Sequence, residues 1–140
     1  MMKIHTSRVS VSTRGFTDFH DLTERVEKIL VDSGVTEGTA TVFVPGSTAG
    51  VTTIEFESGA LEDLKEAIER IAPGDIPYRH DARWGDGNGF AHVRAALLGP
   101  SLSVPVSGGR LLLGTWQQIL LVDFDNRERK REVVVQVAGT

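Results

Sequence analysis

The sequence contains no cysteine, which removes disulfide staples, thiolate metal ligands and thiol nucleophiles together and fits a reducing compartment. No run approaches the ~20 apolar residues needed to cross a bilayer. The opening Met1-Met2-Lys3-Ile4-His5-Thr6-Ser7-Arg8 lacks the apolar centre of a signal peptide. Basic charge is not in excess: 15 Lys and Arg stand against 19 Asp and Glu, a net charge of -4, so no overall field draws nucleic acid or an anionic membrane. There is no G-x-S-x-G elbow, no Gly-Lys-Ser/Thr ending of a nucleotide P-loop and no H-E-x-x-H pair. These absences lead to the expectation of a cytoplasmic protein with neither nucleic acid nor membrane as partner.

What remains is an ordinary globular composition, 40% hydrophobic and 24% charged over 140 residues, which predicts a single domain over residues 1–140. Alternation predicts strands over residues 3–12, 16–20, 39–45, 51–57, 101–106, 110–114, 115–123 and 131–137. Helices are expected over residues 22–33, 60–72 and 88–98. Asp21 and Glu24 form a capping-box spacing ahead of the first, and Gly34 supplies its stop. Residues 46–50 and 125–128 read as hairpin connections, and residues 73–89 as a long loop without periodicity. The layout is α+β: a sandwich of largely antiparallel strands with two or three short helices packed outside.

Polar residues that could carry chemistry crowd the second half. His80 and His92 have Asp81 and Asp86 between them, and Glu55 and Glu57 share one face of a predicted strand. Imidazole and carboxylate together suit a divalent metal, with His80, His92 and Glu55 as ligands. The same groups also suit acid–base chemistry without metal, and the plain alternative is a capping histidine and a solvated one. Asn88 stands where it would cap a helix, four residues before His92, and that helix start would favour an anion. Ser47 and Thr48 lie in a glycine-bounded loop that could cradle an oxyanion or simply close a hairpin. Asp123 and Asp125 are expected to pair with Arg129 or Arg131. The basic run of residues 127–131, interrupted by Glu128, reads as a solvated hairpin tip.

His80, Asn88-Gly89-Phe90-Ala91-His92, Gly99-Pro100-Ser101, Val104-Pro105-Val106 and Leu113-Gly114-Thr115-Trp116-Gln117 together resemble the YjbQ-like family over nearly the whole chain. The resemblance implies a YjbQ-like sandwich assembled as a homotrimer, with a polar pocket for a metal or anion near a subunit boundary. The pocket candidates that it carries over are Glu55, His80, Asn88, His92 and Gln117, with Ser47 and Thr48; Arg83 joins them as a basic group near the histidines. Many members have His-Thr-Thr or His-Thr-Ser where this chain has Gly46-Ser47-Thr48, so a histidine's contribution at that place is missing here. The activity attached to the family is a secondary thiamine-phosphate synthase. It joins a hydroxymethylpyrimidine diphosphate to a thiazole phosphate and releases pyrophosphate, which requires charge stabilisation of the leaving group. The implied function is therefore a transferase of that type, with His80, His92, Glu55 and Asn88 at the centre and Ser47, Thr48, Gln117 and Arg83 on the substrate. The alternative is a non-catalytic trimeric binding protein for a small phosphorylated metabolite or a metal.

Overall fold

A computed structural model describes all residues, Met1 to Thr140. Eight strands and four helices follow one another as β1 (Lys3–Thr13), β2 (Asp18–Asp21), α1 (Thr23–Ser33), β3 (Gly38–Phe43), β4 (Ala49–Ile54), α2 (Ser58–Ile71), α3 (Arg79–Trp84), α4 (Gly89–Leu98), β5 (Ser101–Ser107), β6 (Arg110–Leu111), β7 (Gln118–Asp123) and β8 (Arg129–Gly139). The α+β class is as expected. Two antiparallel sheets form, one ordered β1-β8-β3-β5-β6 and the other β2-β7-β4.

Strand β7 lies at the middle of the smaller sheet and is dry on both sides. Ile119 and Leu121 join the main core with Val133, Val135 and Val137 of β8, Ala40 and Val42 of β3, and Val26, Ile29 and Leu30 of α1. Leu120 and Val122, pointing the other way, meet Phe90, Ala91 and Ala95 of α4 together with Phe124. The two-residue period of a strand therefore puts the large sheet and α1 against one face of the small sheet and the helices against the other. No helix is long and apolar enough to cross a membrane.

The structure corrects several local expectations. Strands β3 and β4 form no hairpin: β3 pairs with β5 and β8, whereas β4 pairs with β7. Residues 44–48 instead cross from one sheet to the other. Residues 124–128 cross likewise, because β8 pairs with β1 and β3 rather than with β7. The strand expected over 115–123 begins only at Gln118. Before it the Gln117 side chain folds back to accept the Gly114 N–H at 3.0 Å, which leaves Trp116 exposed. Strand β5 pairs with β3 from Ser101 to Val106 and with the two-residue β6 only at Val106 and Ser107, and Val104 and Val106 are buried.

Asp21 bonds the Thr23 N–H and hydroxyl, but the α1 cap position is Leu22, without a side-chain cap. Strand β4 stops at Ile54, and Glu57 turns to cap α2 by accepting the Gly59 and Ala60 N–H groups at 2.6 and 3.0 Å. Those bonds hold its carboxyl below the ordinary range. Within the loop read over 73–89 lies a further short helix, α3. Its close approach to α4 depends on Gly89, where a Cβ would fall 2.6 Å from that of Tyr78.

Candidate functional site

The ends of β7 and β8, the crossing loop at Thr48, and the facing starts of α3 and α4 converge on one cavity of about 380 Å³. It is lined by Gly46, Ser47, Thr48, His80, Trp84, Asp86, Asn88, His92, Arg129 and Arg131. The floor is a layer of buried charge. On β7 the inward row Ile119, Leu121, Asp123 passes from apolar to ionic in two residues, and Asp123 is fully buried. Arg131 donates to it twice, Nε to Oδ2 at 2.7 Å and Nη2 to Oδ1 at 3.0 Å, while the Thr13 hydroxyl donates at 2.6 Å. Nη2 also reaches the Thr48 hydroxyl at 2.7 Å. The Arg131 Nη1 is left beside Gly46, where a Cβ would stand only 3.1 Å from it. Gly46 has φ 132°, a left-handed value that also disfavours a side chain there.

Asp125 gathers the second set. It accepts from the Arg129 Nε at 2.7 Å, the Asn126 N–H at 2.8 Å, the Thr48 hydroxyl at 3.0 Å and the Asn88 Nδ2 at 3.2 Å. Burial would raise its carboxyl, but the bonds from Arg129, the Asn126 backbone, Asn88 and Thr48 outweigh it and hold the value down to about 2. The expected pairing of Asp123 and Asp125 with Arg131 and Arg129 is thus present. The basic run is no solvated tip at those two arginines: Arg131 is buried and Arg129 is half-buried.

The two histidines face each other with ring centroids 4.2 Å apart and planes tilted by 38°. The His80 Nδ1 is buried without a hydrogen-bond partner, yet it stands 3.6 Å from Asp81 Oδ1 and 3.4 Å from Asp86 Oδ1. All three potential ligand atoms lie within 4.8 Å of one another. Donor atoms arranged tetrahedrally at about 2.0–2.2 Å from a divalent ion stand about 3.3–3.6 Å apart. One imidazole with two carboxylates also suits such an ion and leaves positions open to water or ligand. The donor set therefore fits a divalent cation.

The residues singled out in the sequence divide accordingly. Ser47, Thr48, His80, Asn88 and His92 share the cavity. Gln117 does not: it donates to the Thr53 hydroxyl at 3.1 Å and lines a separate groove of about 290 Å³ between β4 and β5. Glu55 follows the end of β4 and lines neither space. The carboxylates gathered at His80 belong to Asp81 and Asp86 instead. Arg83 lies outside the cavity, its guanidinium carbon 5.6 Å from the centroid of Trp84.

Asn88 occupies the cap position of α4 but makes no side-chain cap, its amide being turned to Asp125. The Gly89 N–H is taken by Asp81 Oδ1 at 2.8 Å, so a carboxylate of the chain already occupies the anion position expected at that helix start. Sequence reasoning assigned no site role to Arg129 and Arg131 and did not weigh Trp84 at all. The signal for the arginines was the matched spacing of Asp123-x-Asp125 and Arg129-x-Arg131, which puts each pair on one face of an extended chain.

A family model described as "UPF0047 protein YjbQ-like" matches residues 7–140. A UPF0047 protein of Methanothermobacter thermautotrophicus is 37% identical over 138 residues, 99% of this chain and 94% of the relative. The UPF0047 protein YugU of Bacillus subtilis is 34% identical over 132 residues, 94% of this chain and 97% of the relative. Among solved structures, a YbjQ-like protein of unknown function from Sulfolobus solfataricus P2 superposes with a TM-score of 0.95 at 34% identity, covering 100% of both chains. A hypothetical protein from Aeropyrum pernix K1 does so with a TM-score of 0.89 at 36% identity, over 97% of this chain and 99% of that one. A match that spans nearly the whole chain in sequence and in backbone alike makes this protein a member of the UPF0047 family of YjbQ-like proteins.

Proposed function

We propose that the cavity binds a phosphorylated small molecule together with a divalent cation. His80, Asp81 and Asp86 hold the cation, and Arg129 and Arg131 take the phosphate oxygens. The observation that carries this reading is the His80 Nδ1, a buried nitrogen with no hydrogen-bond partner set between two carboxylates. Buried polar atoms are seldom left so, and a cation would satisfy all three groups at once. Bound there, the ion would supply positive charge to a phosphate or a departing pyrophosphate. On this reading Arg129 and Arg131 orient the anion, each kept in place by its aspartate, and His92 is placed to move a proton at its imidazole nitrogen. A transferase of the thiamine-phosphate synthase type is the reaction that these groups would serve.

The second reading, a homotrimeric binding protein without turnover, draws on a specific observation. Arg129 and Arg131 are both already paired with buried aspartates, which leaves little uncompensated positive charge for a diphosphate. The exposed Ile71, Val93 and Leu97 on α2 and α4 support self-association; sedimentation velocity tests the trimer.

Calorimetric titration of Zn²⁺ and Mn²⁺ into chelator-treated protein tests the metal site. A stoichiometric ion is expected, with affinity at least about tenfold weaker in Asp86→Ala. Equal affinity in that variant would sink the assignment. Thiamine phosphate formation that disappears in His92→Ala would favour the transferase, and ligand-induced stabilisation without product would favour the binder.

A further inference from the structure

We propose that Asp86-Gly87 is a site of spontaneous covalent modification, at which Asp86 isomerises to isoaspartate and withdraws its carboxylate from His80. The consequence for the cation rests on the reading of His80, Asp81 and Asp86 as its ligands; the modification itself does not. Isomerisation begins when the amide nitrogen of the following residue attacks Cγ of the aspartate. A carboxyl oxygen leaves as water, a cyclic succinimide closes between Asp86 Cγ and the Gly87 nitrogen, and water then opens the ring at either of its carbonyls. Opening at the original main-chain carbonyl leaves the chain running through the side chain, which is isoaspartate. One water is lost and one regained, so no co-reactant is needed.

Two sequences open to this chemistry stand side by side, Asp86-Gly87 and Asn88-Gly89, and the fold treats them oppositely. In an unfolded chain an Asn-Gly pair closes the ring faster than an Asp-Gly pair, because a neutral amide is attacked more readily than an ionised carboxylate. In the folded protein Asn88 is buried, and its Nδ2 is held by Asp125 Oδ1 at 3.2 Å. The Gly89 N–H, which carries the attacking nitrogen, is bonded to Asp81 Oδ1 at 2.8 Å, and Gly89 opens α4. Ring closure there requires that turn to open first. Asp86 and Gly87 are both exposed, and no acceptor in the chain takes the Gly87 N–H. Glycine offers no side chain to hinder the attack, and φ 70° at residue 87 favours glycine there.

The product changes the site in a defined way. The Asn126 Nδ2 donates to the Asp86 main-chain carbonyl at 2.8 Å, and in isoaspartate that carbonyl becomes the free carboxylate. The carboxyl whose Oδ1 stood 3.4 Å from His80 Nδ1 becomes a main-chain amide. The negative charge therefore moves to the side of Asn126, and His80 keeps Asp81 alone.

The test ages the whole chelator-treated protein at pH 7.4 and 37 °C, folded and in guanidinium chloride, and follows both sites by peptide mapping. Electron-transfer fragmentation separates isoaspartate from aspartate at residue 86, and deamidation of Asn88 is read from its mass. In the folded protein isoaspartate should accumulate ahead of deamidation, and in guanidinium chloride the order should reverse. Zn²⁺ at ten times its dissociation constant should slow the folded-state reaction about tenfold, because only the ion-free fraction reacts. The isoaspartyl fraction, separated by chromatography, should bind Zn²⁺ at least about tenfold more weakly. Gly87→Ala should form less isoaspartate than the parent.

No isoaspartate at residue 86 of the folded protein, or deamidation of Asn88 that keeps pace with it, would overturn the modification site. Equal yield in Gly87→Ala would do the same, and should that variant not fold, the comparison of the two sites in the parent decides. Isoaspartate that forms as fast with Zn²⁺ and leaves Zn²⁺ affinity intact would remove its link to the cation while the modification stands. Fresh protein that binds no Zn²⁺ would overturn the cation reading itself.

Discussion

Leu121 and Asp123 lie two residues apart on the same face of β7, and both are fully buried. Around Leu121 the neighbours are the valines of β8 and β3 and the inner face of α1. Around Asp123 they are Arg131, Thr13 and, through Thr48, Asp125. Burial at Leu121 is non-directional and stabilises by roughly 25 cal/mol for each Å² of apolar surface removed from water. Burial at Asp123 removes two charges from water, a loss that the ion pair and its hydrogen bonds offset at best. Stability alone does not explain such a layer. Orientation does: the two aspartates aim Arg129, Arg131, Thr48 and Asn88 at one cavity, and the apolar layer beside them keeps the aspartates from moving.

This division is broken most severely by Arg131→Met, which keeps the side chain's bulk and removes its charge. Asp123 is then left buried with the Thr13 hydroxyl and the Asp125 N–H as its bonds. Urea unfolding should show a loss of about 3–5 kcal/mol, and calorimetry should show phosphate affinity reduced more than about tenfold. Leu121→Ala comes next, at about 2–5 kcal/mol for a cavity in a closed core. Its phosphate affinity at a temperature where it remains folded should stay within about twofold, since additivity holds for sites without shared partners. If Leu121→Ala weakened phosphate binding as much as Arg131→Met does, the two layers would be one unit and the division would be wrong.

The apolar layer was legible because its signals are local. Val26, Ile29 and Leu30 repeat at helical spacing, and the strand alternation of β1 and β8 is plain in the sequence. The charged layer was legible only in part. Matched spacing made the partnership of Asp123 and Asp125 with Arg129 and Arg131 visible. Reading the two segments as one hairpin hid the fact that they leave different sheets and bracket a cavity. Glu55 and Gln117 were counted into strands by a related error. Strand alternation was carried past Ile54 and back before Gln118, where a cap and a side-chain turn take over. Periodicity states which face a residue shares within an element, but not where the element stops or which sheet receives it.

Acid sharpens the comparison with a smaller effect. The Asp125 carboxyl is held at about 2 in the folded protein, below its ordinary 3.8, so its contribution is fully present above about pH 4 and is lost as pH falls towards 2. The urea midpoint should drop across that window, and Asp125→Asn should flatten the drop.

The smallest effect belongs to Lys28 and Asp32 on α1. They form an ion pair at 3.0 Å, but their side chains are 77% and 55% exposed. Chemically this pair resembles those beneath the cavity. Solvent makes the difference: water screens the attraction and would hydrate either partner left alone. Lys28→Met keeps a straight chain of good helix propensity, so the change in unfolding free energy should be below about 0.5 kcal/mol. Phosphate binding should not move. A loss near that of Arg131→Met would mean that the charge pair itself, and not its burial, sets the cost, and the contrast between Leu121 and Asp123 would then have to be explained by chemistry without reference to place.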